Sequence, residues 1–203
     1  MSEPIALLLL GGLWSGWCGL HSLLITRRAR DYFVRRLGER FVWFRLAYNI
    51  FSLVTLIPVV LVHWRLQGPV LFAWSGYWQV ARLVLFGAAG LLFYGGARAY
   101  DMGYFLGLKQ VREYRAGRRP APARLSREGV LGYVRHPWYT AGLLVIWTVG
   151  PVTAASLVAK AVLSGYLVIG AVLEERKLVA EFGEEYRQYQ REVNMLLPWP
   201  RRK

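Results

Sequence analysis

Two short polar clusters in the C-terminal third of the chain contain titratable side chains of both signs. The first cluster is Arg135, His136, Pro137 and Tyr139, and the second is Glu174, Glu175, Arg176 and Lys177. If the chain brings the two clusters together, they form a site with titratable groups of both signs. The alternative is structural: His136 only begins a helix, and the two glutamates only balance their basic neighbours.

A second polar group lies in the apolar N-terminal half, at His21, Arg45, Tyr48 and Asn49. Ionisable residues inside a membrane segment are costly, and they are therefore functional candidates. Each also has a structural interpretation. Arg45 could extend its charge to the lipid headgroups, whereas His21 and Asn49 could bond a neighbouring helix.

The cysteine and histidine content limits which disulfides and metal sites the chain can form. Cys18 is the one cysteine of the chain, which excludes an internal disulfide. No cysteine and histidine cluster has the spacing of a metal site. We therefore predict no metal centre, and any cofactor must be held by other groups.

The composition is that of a membrane protein with several spans. Of the 203 residues, 55% are hydrophobic, and 26 Lys and Arg stand against 12 Asp and Glu. A disordered basic tail would lack the apolar content. Because the basic residues alternate with apolar runs instead of forming one face, we predict no nucleic-acid binding.

Five apolar runs predict an all-α, polytopic helical bundle of about five transmembrane helices. The runs are Pro4–Thr26, Phe41–His63, Gln79–Ala99, Tyr139–Val149 and Thr153–Leu173. The last two flank Gly150 and Pro151, which predicts a helical hairpin with a tight reversal. Its first arm reaches spanning length only if it begins near His136. A hairpin would place the two charged clusters face to face.

The distribution of basic residues predicts the orientation. On the five-span arrangement, 23 of the 26 Lys and Arg residues fall on one side of the membrane. The positive-inside rule makes that side cytoplasmic, with the N-terminus outside and the C-terminus inside. Because no basic residue precedes the first run, we expect a retained helix and not a secretory signal. The expected location is a bacterial inner membrane.

Two cytoplasmic segments complete the predicted organisation. Lys109–Arg127 is expected to be a basic surface loop that runs along anionic membrane lipids. Glu174–Val193 is expected to form a cytosolic amphipathic helix, interrupted by Gly183. We divide the chain into residues 1–128, with three transmembrane helices and the loop, and residues 129–203, with the hairpin and the cytosolic helix.

The C-terminal third carries motifs that resemble a known superfamily. These are GVLGYVRHPWYTAG at 129–142, EERKL at 174–178, FGEEYRQY at 182–189, and Pro198. In order and spacing they resemble the core of the isoprenylcysteine carboxyl methyltransferase and phospholipid methyltransferase superfamily of integral-membrane methyltransferases. The resemblance implies an S-adenosylmethionine site instead of a Rossmann fold, and it specifies no oligomeric state.

The same resemblance implies roles for the residues of the two clusters. His136 with the adjacent Pro137 backbone would contact the cofactor, and Tyr139 would line its pocket. Glu174 or Glu175 would meet its ammonium or ribose groups, and Arg135 or Arg176 would pair with its carboxylate. Tyr186 and Tyr189 would close the cytosolic side.

Three motifs in the N-terminal half narrow the resemblance. GLHSLL at 19–24, RLAYN at 45–49 and YDMGYFLGLKQ at 100–110 are similar to the integral-membrane thiol methyltransferases, closest to the methanethiol S-methyltransferase group. A thiol must react as its thiolate, so a base or a cationic environment is needed near the sulfur. On this resemblance the catalytic candidates are His21, Arg45, Tyr48 and Asn49.

The expected function is S-adenosylmethionine-dependent methylation of a small thiol such as methanethiol. Within the superfamily, the alternatives are O-methylation of a prenylcysteine carboxylate and N-methylation of a phospholipid amine. Two other classes remain open. One is a non-catalytic membrane protein of the nitric-oxide-response type. The other is an NADPH-dependent reductase similar to sterol reductases, although those proteins are larger and have more spans.

Overall fold

The computed structural model describes residues 2–118 and 125–198. The helices are α1 (Glu3–Leu24), α2 (Arg27–Leu37), α3 (Phe44–Arg65), α4 (Trp78–Ala99), α5 (Met102–Leu106), α6 (Leu108–Arg115), α7 (Pro137–Thr148), α8 (Ala154–Phe182) and α9 (Glu184–Glu192). Gly38–Trp43 and Gly129–Gly132 are 3₁₀ helices. The strands β1 (Val70–Phe72) and β2 (Val152–Thr153) form a two-stranded sheet.

The chain divides into two compact units, each built from three stretches of sequence. Unit 1 contains Met1–Pro69, Asp101–Pro122 and Thr153–Val162. Unit 2 contains Val70–Tyr100, Ala123–Val152 and Leu163–Lys203. The four polar residues of the N-terminal half belong to unit 1, and both charged clusters of the C-terminal third belong to unit 2.

The chain is an all-α membrane protein, as predicted. Within the described residues, four helical segments are long and apolar enough to cross a bilayer: Glu3–Leu24, Arg27–Arg65, Trp78–Ala99 and Ala154–Phe182. Leu8, Leu53 and Leu83 are largely exposed, which is expected of side chains that face lipid. The first arm of the predicted hairpin is shorter. With 12 residues, α7 covers about 18 Å of the roughly 30 Å of a hydrocarbon core.

The hairpin of α7 and α8 is confirmed by contacts that run in opposite directions along the two helices. Trp147 Nε1 donates to Ser164 Oγ (3.1 Å) near the reversal. At the other end, Tyr139 packs so closely on Gly170 that an added Cβ would lie 3.1 Å from its ring. Gly150 at the reversal has a φ of 68°. These contacts bring the start of α7 to the later part of α8.

The helix predicted for Glu174–Val193 and its interruption at Gly183 are present, but its first part continues α8 without a break. The helix does not end near Leu173 but continues to Phe182, over 29 residues in all. Gly183, with a φ of 58°, then ends it, and α9 begins at Glu184. The positive φ of Gly183 favours a break at this position because side chains with a Cβ rarely adopt it.

The predicted surface loop is wrong for its first part. Residues 108–115 form α6, because LKQVREYR contains good helix formers and no glycine or proline. Val111 is buried, and Lys109 Nζ donates to Asp101 Oδ2 (2.5 Å), which anchors the helix. Residues 119–124 of the predicted loop lie outside the described residues.

In unit 2, α4 packs against the start of α7 through small residues. A Cβ at Gly96 would overlap the indole ring of Trp138, and one at Gly95 would lie 2.9 Å from Val130. Trp138 Nε1 donates to the carbonyl oxygen of Phe93 (3.1 Å). Glycine therefore permits the close approach that fixes the beginning of α7, where the first charged cluster lies.

Candidate functional site

Glu175 is the centre of a buried hydrogen-bond network in unit 2. Its side chain, on a residue only 7% exposed, accepts a bidentate pair from Arg135, with Nε at 2.9 Å and Nη2 at 2.7 Å. His136 Nε2 and Tyr186 Oη each donate to Glu175 Oε1 at 2.7 Å, and Gln190 Nε2 donates to Oε2. Five donors saturate the two oxygens of this carboxylate. Glu175 thus joins the starts of α7 and α9 and retains no free acceptor position for a ligand.

The guanidinium group of Arg135 is likewise fully hydrogen-bonded within the protein. Its Nη1 donates to the backbone oxygens of Gln190 and Val193, so all three guanidinium nitrogens have partners. Its backbone N–H donates to Asn194 O (3.0 Å), and that of His136 donates to Met195 O (3.1 Å). This arginine therefore binds residues 193–195 to the beginning of α7.

Tyr186 and Tyr189 form the core that holds α9 in place. They are 1% and 2% exposed, and their rings contact each other at 5.7 Å. Tyr189 Oη donates to Leu131 O (2.5 Å). Burial raises the pKa of Tyr189 to about 12, and burial and the hydrogen bond to Glu175 raise that of Tyr186. Both hydroxyls are thus held as neutral hydrogen-bond donors.

Glu174 has a different environment from that of Glu175, its neighbour along α8. Tyr139 Oη donates to Glu174 Oε2 (2.8 Å). Among the described residues, no lysine, arginine or histidine forms an ion pair with this carboxylate. Successive helical residues point about 100° apart, which explains why only one of the two glutamates joins the Arg135 network. The other retains acceptor capacity.

A cavity of about 390 Å³ lies beside the Glu175 network. Its lining residues are Val172, Glu175, Arg176, Val179, Gln190 and Met195. The volume is within the usual range for small-molecule sites, and apolar walls with a few polar groups are typical of them. Arg176 is exposed and, within the described parts of the chain, has no hydrogen bond or ion pair.

The structure thus assigns the predicted unit 2 residues to distinct positions. Arg135, His136, Glu175 and Tyr186 share one network, Tyr139 and Glu174 form a second contact, and Arg176 lines the cavity. Pro137 is buried as the first residue of α7, and Tyr189 lies in the core under α9. Sequence reasoning missed Gln190. Its position four residues after Tyr186, on the same face of a helix, was the available signal.

The predicted residues of unit 1 also lie together. Ser52 Oγ donates to Tyr48 O (2.8 Å) and lies 3.0 Å from His21 Nδ1. Tyr48 Oη lies 2.6 Å from His21 Nε2 and 3.2 Å from the His21 carbonyl oxygen, to which it can donate. Trp17 stacks on the His21 ring with a 5.2 Å centroid distance. The imidazole is thus held between the hydroxyls of Ser52 and Tyr48, one at each ring nitrogen.

Arg45 and Asn49 contact the end of α5. Arg45 Nε donates to Phe105 O (3.1 Å), and Asn49 Nδ2 donates to Phe105 O (3.3 Å) and Leu106 O (3.2 Å). Carbonyls at the end of a helix lack partners within it, so these side chains satisfy them. The Arg45 guanidinium also lies 5.9 Å from the Tyr48 ring centroid. Asn49 therefore stabilises the end of α5. Arg45 does the same and also places a positive charge near Tyr48.

The described residues contain no group of three or more His, Cys, Asp or Glu side chains that could hold a metal ion. The cavity beside Arg176 and the contact of His21 with Tyr48 are candidate sites for binding and catalysis.

Comparison with known proteins gives similar chains from three bacteria. The chain is 29% identical to Methanethiol S-methyltransferase 1 of Bradyrhizobium diazoefficiens over 188 residues, which is 89% of this chain and 63% of that protein. It is 29% identical to Methanethiol S-methyltransferase of Mycobacterium tuberculosis, covering 91% and 76% of the two chains. For the protein of that name from Crocosphaera subtropica the identity is 28%, with 96% and 75% covered.

These similarities confirm the resemblance to the isoprenylcysteine methyltransferase-like group. The chain spans slightly less than two thirds of the length of the Bradyrhizobium relative. No solved structure matches the chain. The family model described as NnrU protein matches residues 8–197, and the chain therefore belongs to the NnrU family.

Proposed function

We propose that the protein is an integral-membrane methyltransferase that uses S-adenosylmethionine to methylate the sulfur of a small thiol such as methanethiol. The similarity to three proteins named methanethiol S-methyltransferase, over about nine tenths of the chain, supports this function. The single structural observation that carries it is the cavity beside the Glu175 network, with an uncommitted arginine at its wall. Such a site suits an organic ligand with both apolar and charged parts.

The residues present fit S-adenosylmethionine, which supplies an electrophilic methyl group when bound. Arg176 would bind the carboxylate of this cofactor, because Arg135 already uses all its nitrogens. Glu175 is saturated, and Glu174 does not line this cavity and points about 200° around α8 from Arg176, so its contact with the cationic groups or ribose of the cofactor stays a prediction. His136, Pro137 and Tyr186 would act by holding the wall of the site, with Tyr139 and Tyr189 beside them.

The acceptor thiol must lose its proton, since the thiolate is the nucleophile. We infer that His21 takes this proton at Nε2, through or beside the Tyr48 hydroxyl that it contacts at 2.6 Å. The positive charge of Arg45 near Tyr48 would favour a thiolate over a thiol. In this proposal Asn49 fixes the end of α5 and takes no part in proton transfer.

Orientation and exclusion of water would supply most of the rate. Methyl transfer is a displacement at carbon, so the nucleophile must be held in line with the bond that breaks. The aromatic and apolar surroundings of the His21–Tyr48 pair keep water away from it, with Tyr48 only 6% exposed.

We place the protein in a bacterial inner membrane, with the N-terminus outside and the C-terminus in the cytoplasm. The charge distribution supports this orientation, since 23 of 26 Lys and Arg residues lie in the segments assigned to the cytoplasm. The unit 2 site would then receive S-adenosylmethionine from the cytoplasm, and a volatile or apolar thiol would enter from the bilayer.

The test is calorimetric titration of S-adenosylmethionine into protein purified in lipid-supplemented detergent. Wild type is expected to bind, and Arg176→Met is expected to bind roughly 10- to 100-fold more weakly through loss of the charged hydrogen bonds. Lys177→Met is the control, because it removes an exposed positive charge at the next position. Absence of binding by folded wild type would contradict the proposal.

The family match favours one other candidate, a non-catalytic membrane protein of the nitric-oxide-response type. Such a protein would bind a ligand or support a partner without turnover. Binding of S-adenosylmethionine without methyl transfer to any thiol would favour this candidate over the first.

A further inference from the structure

Helix α2 is an amphipathic helix that the proposed function does not use. Its sequence, RRARDYFVRRL, contains five arginines and one acidic residue, and none of its residues is buried. Ala29, Phe33 and Leu37 recur every four residues and therefore share one face. Arg28 and Arg35, both exposed, lie on the opposite face. An amphipathic helix with a basic face is typical of segments that lie at a membrane surface.

The contacts of α2 place it across the adjacent ends of α1 and α3. Thr26 Oγ1 donates to Leu23 O (2.8 Å) at the end of α1, and the same side chain caps the start of α2. The ring of Phe33 packs on that of Phe44, the first residue of α3, with a 4.8 Å centroid distance. In one continuous helix these two residues would lie about 16 Å apart, so the chain turns between them, at Gly38 with its φ of 52°. Since α1 and α3 belong to segments that can cross a bilayer, α2 lies where both spans leave the membrane.

The arginines of α2 are available to an anionic partner. Among the described residues, none of the five forms an ion pair with a carboxylate. The basic side chains of α6 differ in this respect. Lys109 Nζ donates to Asp101 Oδ2, and the Arg115 guanidinium lies 5.3 Å from the ring centroid of Trp43. Lipid contact is expected from the sequence at Lys109–Arg127, but the contacts favour α2 as the anion-binding surface of unit 1.

An anionic phospholipid matches both faces of α2. Guanidinium groups pair well with phosphate oxygens, because their N–H donors are arranged in a planar fork. The exposed Tyr32, Val34 and Leu37, which are 50%, 41% and 38% exposed, can contact the upper part of the acyl chains. A soluble acidic protein would compete at this place with lipid headgroups that are already present at high local concentration. The position of α2 at the ends of two spans therefore favours lipid as the partner.

We propose that α2 is an interfacial helix that binds anionic phospholipid, such as phosphatidylglycerol, in the leaflet where α1 ends and α3 begins. The arginines bind the headgroups, while the face that carries Phe33 stays packed on the start of α3. Because Phe33 contacts Phe44, lipid bound to α2 also stabilises the beginning of α3. This inference does not depend on the proposed methyl transfer.

The test follows α2 with an environment-sensitive fluorophore attached to Val34→Cys in a Cys18→Ala background. Protein in neutral detergent is titrated with phosphatidylglycerol or with phosphatidylcholine in mixed micelles. We expect phosphatidylglycerol to shift the emission to the blue at a concentration at least about tenfold lower than phosphatidylcholine does, and added salt to weaken the effect. Replacing Arg28 and Arg35 together with glutamine should raise the required concentration of phosphatidylglycerol about tenfold or more.

Lys177→Gln combined with Arg187→Gln is the matched control, because it removes two exposed positive charges from α8 and α9. This control should change the required concentration less than about twofold, and thermal unfolding confirms that each variant is folded. Equal responses to the two lipids, or equal responses of wild type and the double arginine variant, would overturn the proposal. So would an equal shift with soluble glycerol phosphate, which would indicate an anion site without lipid. Binding of polyglutamate without any response to lipid would instead assign this face to an acidic protein.

Discussion

At the scale of single residues, the two adjacent glutamates of α8 differ in how many hydrogen bonds their carboxylates accept. Glu175 has five donors on its two oxygens, and Glu174 has one donor, Tyr139. A sequence motif with two identical residues could not separate these roles. The separation depends on which side of the helix faces Arg135, and therefore on tertiary packing.

Removal of the Glu175 carboxylate should destabilise the fold. Glu175→Ala leaves the buried Arg135 without its counter-charge, and we expect the free energy of unfolding to fall by about 3–5 kcal/mol. Glu174→Ala, which breaks one hydrogen bond from Tyr139, should cost about 1 kcal/mol. Chemical denaturation in detergent measures both, and equal losses would contradict the assignment of Glu175 as the centre of the network.

The His21–Tyr48 pair makes a kinetic prediction. His21→Ala should lower the rate of thiol methylation by about 10²-fold or more, as expected for loss of a general base. The affinity for S-adenosylmethionine should stay within about twofold, because His21 is proposed to act on the thiol and is not among the proposed cofactor residues.

The acidity of the acceptor provides the control for this prediction. An aromatic thiol, which ionises more readily than methanethiol, needs less help to form a thiolate. The loss of rate in His21→Ala should therefore be much smaller with thiophenol. An equal loss with both acceptors would indicate that His21 supports the structure and does not accept the proton.

At the scale of elements, the turn between α5 and α6 is held by a close approach to α3. Gly107 has a φ of 88°, and an added Cβ would lie 2.7 Å from the backbone nitrogen of Leu46. Gly117 also has a positive φ, of 64°, but among the described residues no atom lies within 4 Å of an added Cβ. The two glycines thus form a matched pair.

Replacing each of these glycines with alanine separates the energetic cost of a positive φ from the cost of steric overlap with α3. Gly117→Ala should cost no more than about 1–2 kcal/mol, the conformational term alone. Gly107→Ala should cost about 1–3 kcal/mol in addition, because the neighbouring backbone of α3 must shift. Unfolding free energies measure the difference. Similar costs would show that the approach to Leu46 is not tight.

The stability that Tyr189 of α9 contributes to the fold should decrease at alkaline pH. The pKa of Tyr189 in the fold, about 12, lies above the ordinary value of 10.0. The stability that its neutral hydroxyl contributes is thus fully present below pH 10 and is lost as the pH rises to about 12. Between pH 10 and 12 the advantage of wild type over Tyr189→Phe should shrink in denaturation experiments. A difference that is constant up to pH 12 would contradict this account.

The predictability of each element follows from the kind of signal that encodes it. The apolar runs of α1, α3 and α4 and the reversal at Gly150 and Pro151 are local, and the sequence predicts them. Helix α6 was missed because its basic residues suggested a lipid-facing loop, although Val111 packs inside. The continuity of α8 through Leu173 was missed because the charge at Glu174 and Glu175 was taken as the end of the membrane segment.

At the scale of the whole molecule, the chain is an all-α membrane protein of the NnrU family with two compact units. Residues of the motifs contact each other within each unit: Glu175 contacts Arg135 and His136 in unit 2, and Tyr48 contacts His21 in unit 1. The motifs could not predict which of these side chains would be fully hydrogen-bonded within the protein, because Gln190 Nε2 and Val193 O were not among the predicted site residues. Arg176 and Glu174 remain the groups best able to bind a charged ligand.

The most direct test of thiol methylation follows the methyl group itself. Purified protein in lipid would be given methanethiol and S-adenosylmethionine with a trideuterated methyl group, and the gas above the sample would be analysed by mass spectrometry. The account predicts trideuterated dimethyl sulfide in amounts that exceed the protein many-fold and that fall strongly with His21→Ala. Folded wild type that binds the donor but forms no labelled product from methanethiol, or from any other small thiol, would contradict it.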